Sequence, residues 1–159
     1  MSFFFLMLVI FAALHLPFPG NAAFLSGRKD KAAVAMGAAF AITGAMHFSN
    51  PDRFLPMMPA WLPWRLELIY LSGALEIVGG GGLAVRRTRR AGGLGLTGLL
   101  LAIFPANIHL ALSGSSVEGL ASAGWYYWVR LPFQFVYVAW ALWCSGQRPS
   151  RSDGPATKV

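Results

Sequence analysis

Hydrophobic residues in this chain fall into five long runs, at about 2–18, 31–48, 63–85, 91–113 and 125–144, separated by short polar or proline-broken stretches. A helix that crosses a bilayer takes roughly 17 to 25 apolar residues, so each run predicts a spanning helix, the first of barely sufficient length. That first run carries two readings. As a signal peptide it would have Asn21-Ala22-Ala23 as a poor cleavage site, but it lacks the basic stretch with which such peptides begin. A retained first helix is the preferred reading, with His15 near its end as an interfacial residue.

The second run is built largely from alanine and glycine, residues that let helices approach closely in lipid, and it stops at Pro51. Residues 52–62, with Pro56 and Pro59, are too broken to span. Their methionines and Trp61 predict a short segment at the membrane interface. The third run ends in Gly79 to Gly82. Four glycines in a row raise a phosphate loop, yet they match no nucleotide fingerprint and follow no strand, so close helix packing is the expectation. In the fourth run Pro105 removes the helix bond to the carbonyl of Leu101 and predicts a kink. The fifth opens on an aromatic belt, Trp125 to Trp128.

Composition turns these runs into a class. The 159 residues are 56% hydrophobic and 12% charged, too apolar for an ordinary soluble fold and short enough for one domain over 1–146. The polar remainder, 147–159, is expected to be a disordered tail. A net charge of +7 would raise nucleic-acid binding in a soluble protein. Here the cations sit in short clusters between apolar runs, a pattern that reports membrane orientation and argues against nucleic acid. If helices two to five each cross once, ten of the thirteen Lys and Arg residues fall on one side and only Arg53, Arg65 and Arg130 towards the other. That asymmetry makes the basic loops and the C-terminus cytoplasmic. Cys144 is the single cysteine, which excludes an internal disulfide and a CxxC pair and suits a small apolar residue.

The candidate chemistry is a set of polar residues inside the runs. Glu76 stands near the middle of the third, where a carboxylate costs roughly 2.5 to 3.5 kcal/mol to insert and so calls for a partner or a polar cavity. The topology carries His47, Asn107, His109, Arg130 and Gln134 towards the same leaflet. Tyr127, Arg130, Gln134 and Tyr137 recur at three- and four-residue spacing and share a helix face. Arg130 is the favoured partner of Glu76, because a guanidinium stays charged and pairs with a carboxylate through two hydrogen bonds. Glu67 is the alternative that depth favours. The cluster reads either as polar glue between helices or as a ligand pocket opening towards the outer leaflet. His47 and His109 lie on opposed helices, but no HxxxH or HExxH spacing points to a metal. No serine lies in a nucleophile elbow, and no catalytic residue is assigned.

The succession GAMHFSNPDRFLPMMPAWLP, SGALEIVGGGGLAV with a basic turn, FPANIHLAL and VRLPFQFVYVAWALW resembles the DoxX family of small bacterial membrane proteins, over residues 34–143. The resemblance implies an all-α, transmembrane four-helix bundle to which residues 2–18 add an N-terminal hydrophobic helix. It also implies a subunit or partner of redox systems, including a quinone-reducing oxidoreductase, without assigning independent activity. A role of the related group in disulfide-dependent maturation sits poorly with a lone Cys144.

The expected ligand site is therefore Glu76, Arg130, His47, Asn107, His109 and Gln134, binding a lipophilic small molecule such as a quinone. The alternative is a non-enzymatic accessory subunit that docks a partner protein, a redox partner among them. A small transporter is disfavoured, since the chain is short and shows no inverted repeat.

Overall fold

The computed structural model describes residues 2–16, 27–113 and 124–146; 85% of these are helical and none lies in a strand. Five α-helices follow one another: α1 (Ser2–Ala13), α2 (Arg28–Ser49), α3 (Arg65–Ala84), α4 (Arg89–Ser113) and α5 (Gly124–Ser145). Two 3-10 turns, Pro51–Arg53 and Leu55–Met57, join α2 to α3. The expected tail at 147–159 and the cleavage-site reading at 21–23 lie outside the described residues.

Local chemistry accounts for the helix ends. Helix α1 stops at Ala13, short of the expected run to 18, because Pro17 disfavours helical geometry just before it. Its 12 residues reach about 18 Å, less than the roughly 30 Å of a hydrocarbon core. Helix α2 closes on Asn50, whose N–H donates to Met46 O at 2.9 Å, and Pro51 then opens the first 3-10 turn. Trp64 enters α3 in the left-handed region at φ 53°, an uncommon state for a bulky residue. At the far end of α3, Thr88 Oγ1 donates to Gly82 O at 2.9 Å and Arg89 Nε to Leu83 O at 3.2 Å. Those side chains satisfy carbonyls that the helix end leaves open.

Helices α2 to α5 pack each against the next in chain order, and α3 lies between α2 and α4. Small residues set its distance from both neighbours. A Cβ added at Gly44 of α2 would lie 2.6 Å from Gly73 O, and one at Gly80 would lie 2.6 Å from Gly37 O. The pairs 37 with 80 and 44 with 73 keep one antiparallel register, seven residues apart on each helix. Towards α4, Gly79 faces Leu96 and Gly92 lies against the backbone of Gly82 and Leu83. The glycine run is thus a packing surface on two sides. Helices α2 and α5 touch sparingly, and α1 lies in the seam between them. There Phe3 rests on Phe40 of α2 at 4.8 Å and on Tyr137 of α5 at 4.9 Å, and Phe4 rests on Phe133 at 5.2 Å.

Helices α2, α3 and α4 are each long and apolar enough to cross a membrane. Helix α5 has 22 residues, but its tryptophans, tyrosines, Arg130 and Gln134 lower its hydropathy and it does not meet the same measure. The outer surface is apolar: Leu71, Val78, Leu94, Leu101, Phe135 and Trp143 are all exposed. Such a surface suits lipid rather than water.

The N-terminus of α2, the α3–α4 turn and the C-terminus of α5 gather at one end of the bundle. Asp30 holds Arg86 and Arg89 at 2.6 Å each, and Lys29 Nζ donates to Gly146 O at 3.3 Å and sits over the Trp143 ring. Arg89 is buried, so its pairing with Asp30 is made away from water.

Two outcomes follow for stability. Gly80→Ala should destabilise the fold by roughly 1 to 3 kcal/mol through overpacking, while Gly81→Ala, beside which nothing lies within 4 Å, should leave the melting temperature in detergent unchanged or raised. Asp30→Asn strands the buried Arg89 guanidinium and should cost about 3 kcal/mol in the same melt.

Candidate functional site

At the end of the bundle away from the basic cluster, the helices part around a cavity of about 440 Å³. The second halves of α2 and α4 and the first halves of α3 and α5 form its walls. Arg53, Phe54, Met57 and Met58 of the 3-10 segment border it on one side, and Phe3 and Leu6 of α1 on another. The segment expected to lie at the interface thus also covers this cavity, although Trp61 and Trp64 beside it remain exposed.

The α2–α3 side of the site exists because those two helices approach so closely. A Cβ at Gly73 would meet His47 Cβ at 2.6 Å, and one at Gly44 would meet Glu76 Cβ at 3.1 Å. With no side chains in the way, Glu76 reaches across to α2, where Thr43 Oγ1 donates to its Oε2 at 2.9 Å. His47, one turn on from Thr43, places Nδ1 2.9 Å from Thr43 O and 4.0 Å from Glu76 Oε2. The carbonyl contact requires a proton on Nδ1, so that in the neutral ring Nε2 is an acceptor. Phe54 stacks on that ring at 3.9 Å and 14°, which holds its plane.

The α4–α5 side is an amide relay. Asn107 Nδ2 donates to Gln134 Oε1 at 2.8 Å, and Gln134 Nε2 donates to the carbonyl of Leu100. Leu100 precedes Leu101, whose carbonyl has no helix donor because Pro105 lacks an N–H. The helix runs on through Pro105, and the α5 side chain bonds to the carbonyl one residue before the one the proline leaves open. Two buried polar atoms on this side have no hydrogen-bond partner among the described residues: Arg130 Nη1 and Asn107 Oδ1.

Five of the six expected site residues, His47, Glu76, Asn107, Arg130 and Gln134, line this one cavity. The expected ion pair is not made. Arg130 bonds to neither Glu76 nor Glu67, because α3 and α5 touch only sparingly and both Arg130 and Glu76 face the cavity. Glu67 is exposed on the first turn of α3 and does not line the cavity. His109 does not line it either. Two residues beyond Asn107, it is turned about 200° around the helix. On α5, Tyr126 rather than Tyr127 lines the cavity with Arg130, Gln134 and Tyr137, while Tyr127 packs beside Leu110. Sequence reasoning missed Thr43; its signal was a hydroxyl four residues before His47, on the same face of an otherwise Ala-rich helix.

Residues 36–145 match the family described as a domain of unknown function, DUF8561. The chain belongs to this family. The DUF8561 region takes in every polar residue of the cavity named above and leaves α1 outside it. No curated protein and no solved structure matches the chain.

Gln134→Leu removes the donor to Leu100 O and the acceptor of Asn107 together. It should cost about 1 to 3 kcal/mol in thermal melts, with Asn107→Leu milder because the Leu100 carbonyl keeps its partner.

Proposed function

We propose that this DUF8561 protein is a DoxX-like inner-membrane protein whose cavity binds a quinone or other lipophilic small molecule in a redox-associated role. In this reading α2 to α5 are the transmembrane four-helix bundle and α1 is an added N-terminal helix laid against the α2–α5 seam. The basic end, with the C-terminus, faces the cytoplasm, and the cavity opens in the outer leaflet half.

The observation that carries the reading is Arg130: a guanidinium on the cavity wall whose Nη1 is buried without a hydrogen-bond partner among the described residues. The buried Arg89 also has one nitrogen, Nη2, without a hydrogen-bond partner, but Asp30 meets its charge at 2.6 Å, whereas Arg130 makes no ion pair among the described residues, and a buried charge without a partner is costly in lipid. Here Glu76 is occupied by Thr43, and Arg130 is left for something else. Apolar walls with a few convergent polar groups, at a volume inside the usual range of about 300 to 1,000 Å³, are what a small-molecule site needs. Gathering of Arg28, Lys29, Arg86 and Arg89 at the opposite end supports the orientation.

Mass spectrometry of organic extracts from the purified full chain tests this. A lipophilic molecule should be recovered stoichiometrically, and its amount should fall in Arg130→Gln protein that melts like the wild type. Recovery of no such molecule from wild-type protein would sink the proposal.

A further inference from the structure

The charges around the cavity do not balance among themselves. Two guanidiniums, Arg53 and Arg130, line it against one carboxylate, Glu76. That carboxylate is already bonded by Thr43 at 2.9 Å and approached by His47 at 4.0 Å. Among the described residues neither Arg53 nor Arg130 makes an ion pair. A lipophilic molecule with neutral oxygens alone would leave this excess of positive charge in place.

We propose that, within the class of lipophilic ligands proposed above, the pocket selects an acid: a single-chain amphiphile whose oxyanion is taken by Arg130 with Arg53 beside it. The inference rests on the pocket reading. A guanidinium binds a carboxylate or phosphate through two parallel hydrogen bonds, and in a water-poor cavity that pairing is far stronger than one to a neutral carbonyl. Asn107 Oδ1, the other buried atom without a partner on a residue of the cavity lining, is an acceptor and so favours a head that carries an O–H beside its charged oxygen. Met46, Met57 and Met58 line the same space. Their flexible thioether chains fit an apolar tail without demanding one shape. At about 440 Å³ the cavity takes a head and part of one chain, not a two-chain phospholipid.

The full chain in phosphatidylcholine nanodiscs, titrated separately with dodecanoate, monododecyl phosphate, methyl dodecanoate and a decyl-substituted benzoquinone, tests the assignment by native mass spectrometry. Either acid should bind at least about tenfold more tightly than the methyl ester. Which acid binds better separates a carboxylate from a phosphate head. Arg130→Gln should erase the preference for acid over ester while the melting temperature holds. If that variant does not fold, Arg53→Gln, on the 3-10 turn, should still narrow it, and the wild-type acid-to-ester ratio decides without any variant. Equal binding of acid and ester overturns the inference. Binding of the benzoquinone in preference to both acids overturns it and leaves the pocket reading standing, whereas binding of none of the four overturns both.

Discussion

The close approach of α3 to its two neighbours is the constraint on which the rest depends. Gly37, Gly44, Gly73 and Gly80 bring the backbones of α2 and α3 to a distance no side chain at those positions would allow. In lipid this matters doubly, because helices there are held by packing and polar contacts rather than by the expulsion of water. The same approach makes the polar site. With Cβ atoms absent at 44 and 73, Glu76 and His47 sit against the facing helix, and Thr43 can bond to the carboxyl. Packing and chemistry share one set of glycines.

The two ends of the bundle treat charge in opposite ways. At the basic end Asp30 answers both Arg86 and Arg89 at 2.6 Å, and the cations tie α2, the α3–α4 turn and α5 together. At the cavity end Arg53 and Arg130 line the space with the one carboxylate Glu76, and neither makes an ion pair among the described residues. A chain that pairs its buried arginine so closely at one end has the means to do so at the other. Arg130 lines the cavity, and α1, whose Phe3 and Leu6 border it from outside the DUF8561 region, completes one of its sides.

Much of this was legible along the chain because each signal was local. Long apolar runs and prolines mark where helices run and stop, and five of the six residues singled out for chemistry line the cavity. His109 was legible too. Its two-residue offset from Asn107 already puts it on the wrong side of a 3.6-residue helix. Thr43 was overlooked because a hydroxyl in an alanine-rich helix looks incidental until its acceptor is in view. The pairing of Arg130 with Glu76 failed for a different reason: depth and phase place two groups at one level but do not say whether their helices touch.

The sequence by itself determined a helical membrane protein, the faces that carry polar groups, and the glycines that let helices come close, since these depend on composition and periodicity within single segments. Only the tertiary structure decided who partners whom. Asp30 with Arg86 and Arg89, Glu76 with Thr43, Gln134 with the Leu100 carbonyl and Arg130 with no carboxylate among the described residues all depend on which helices are neighbours and how they are rotated. Hydrogen bonds and ion pairs act over about 3 Å, and at that range a partner is chosen by the packing of two helices against each other, which no single run of residues contains.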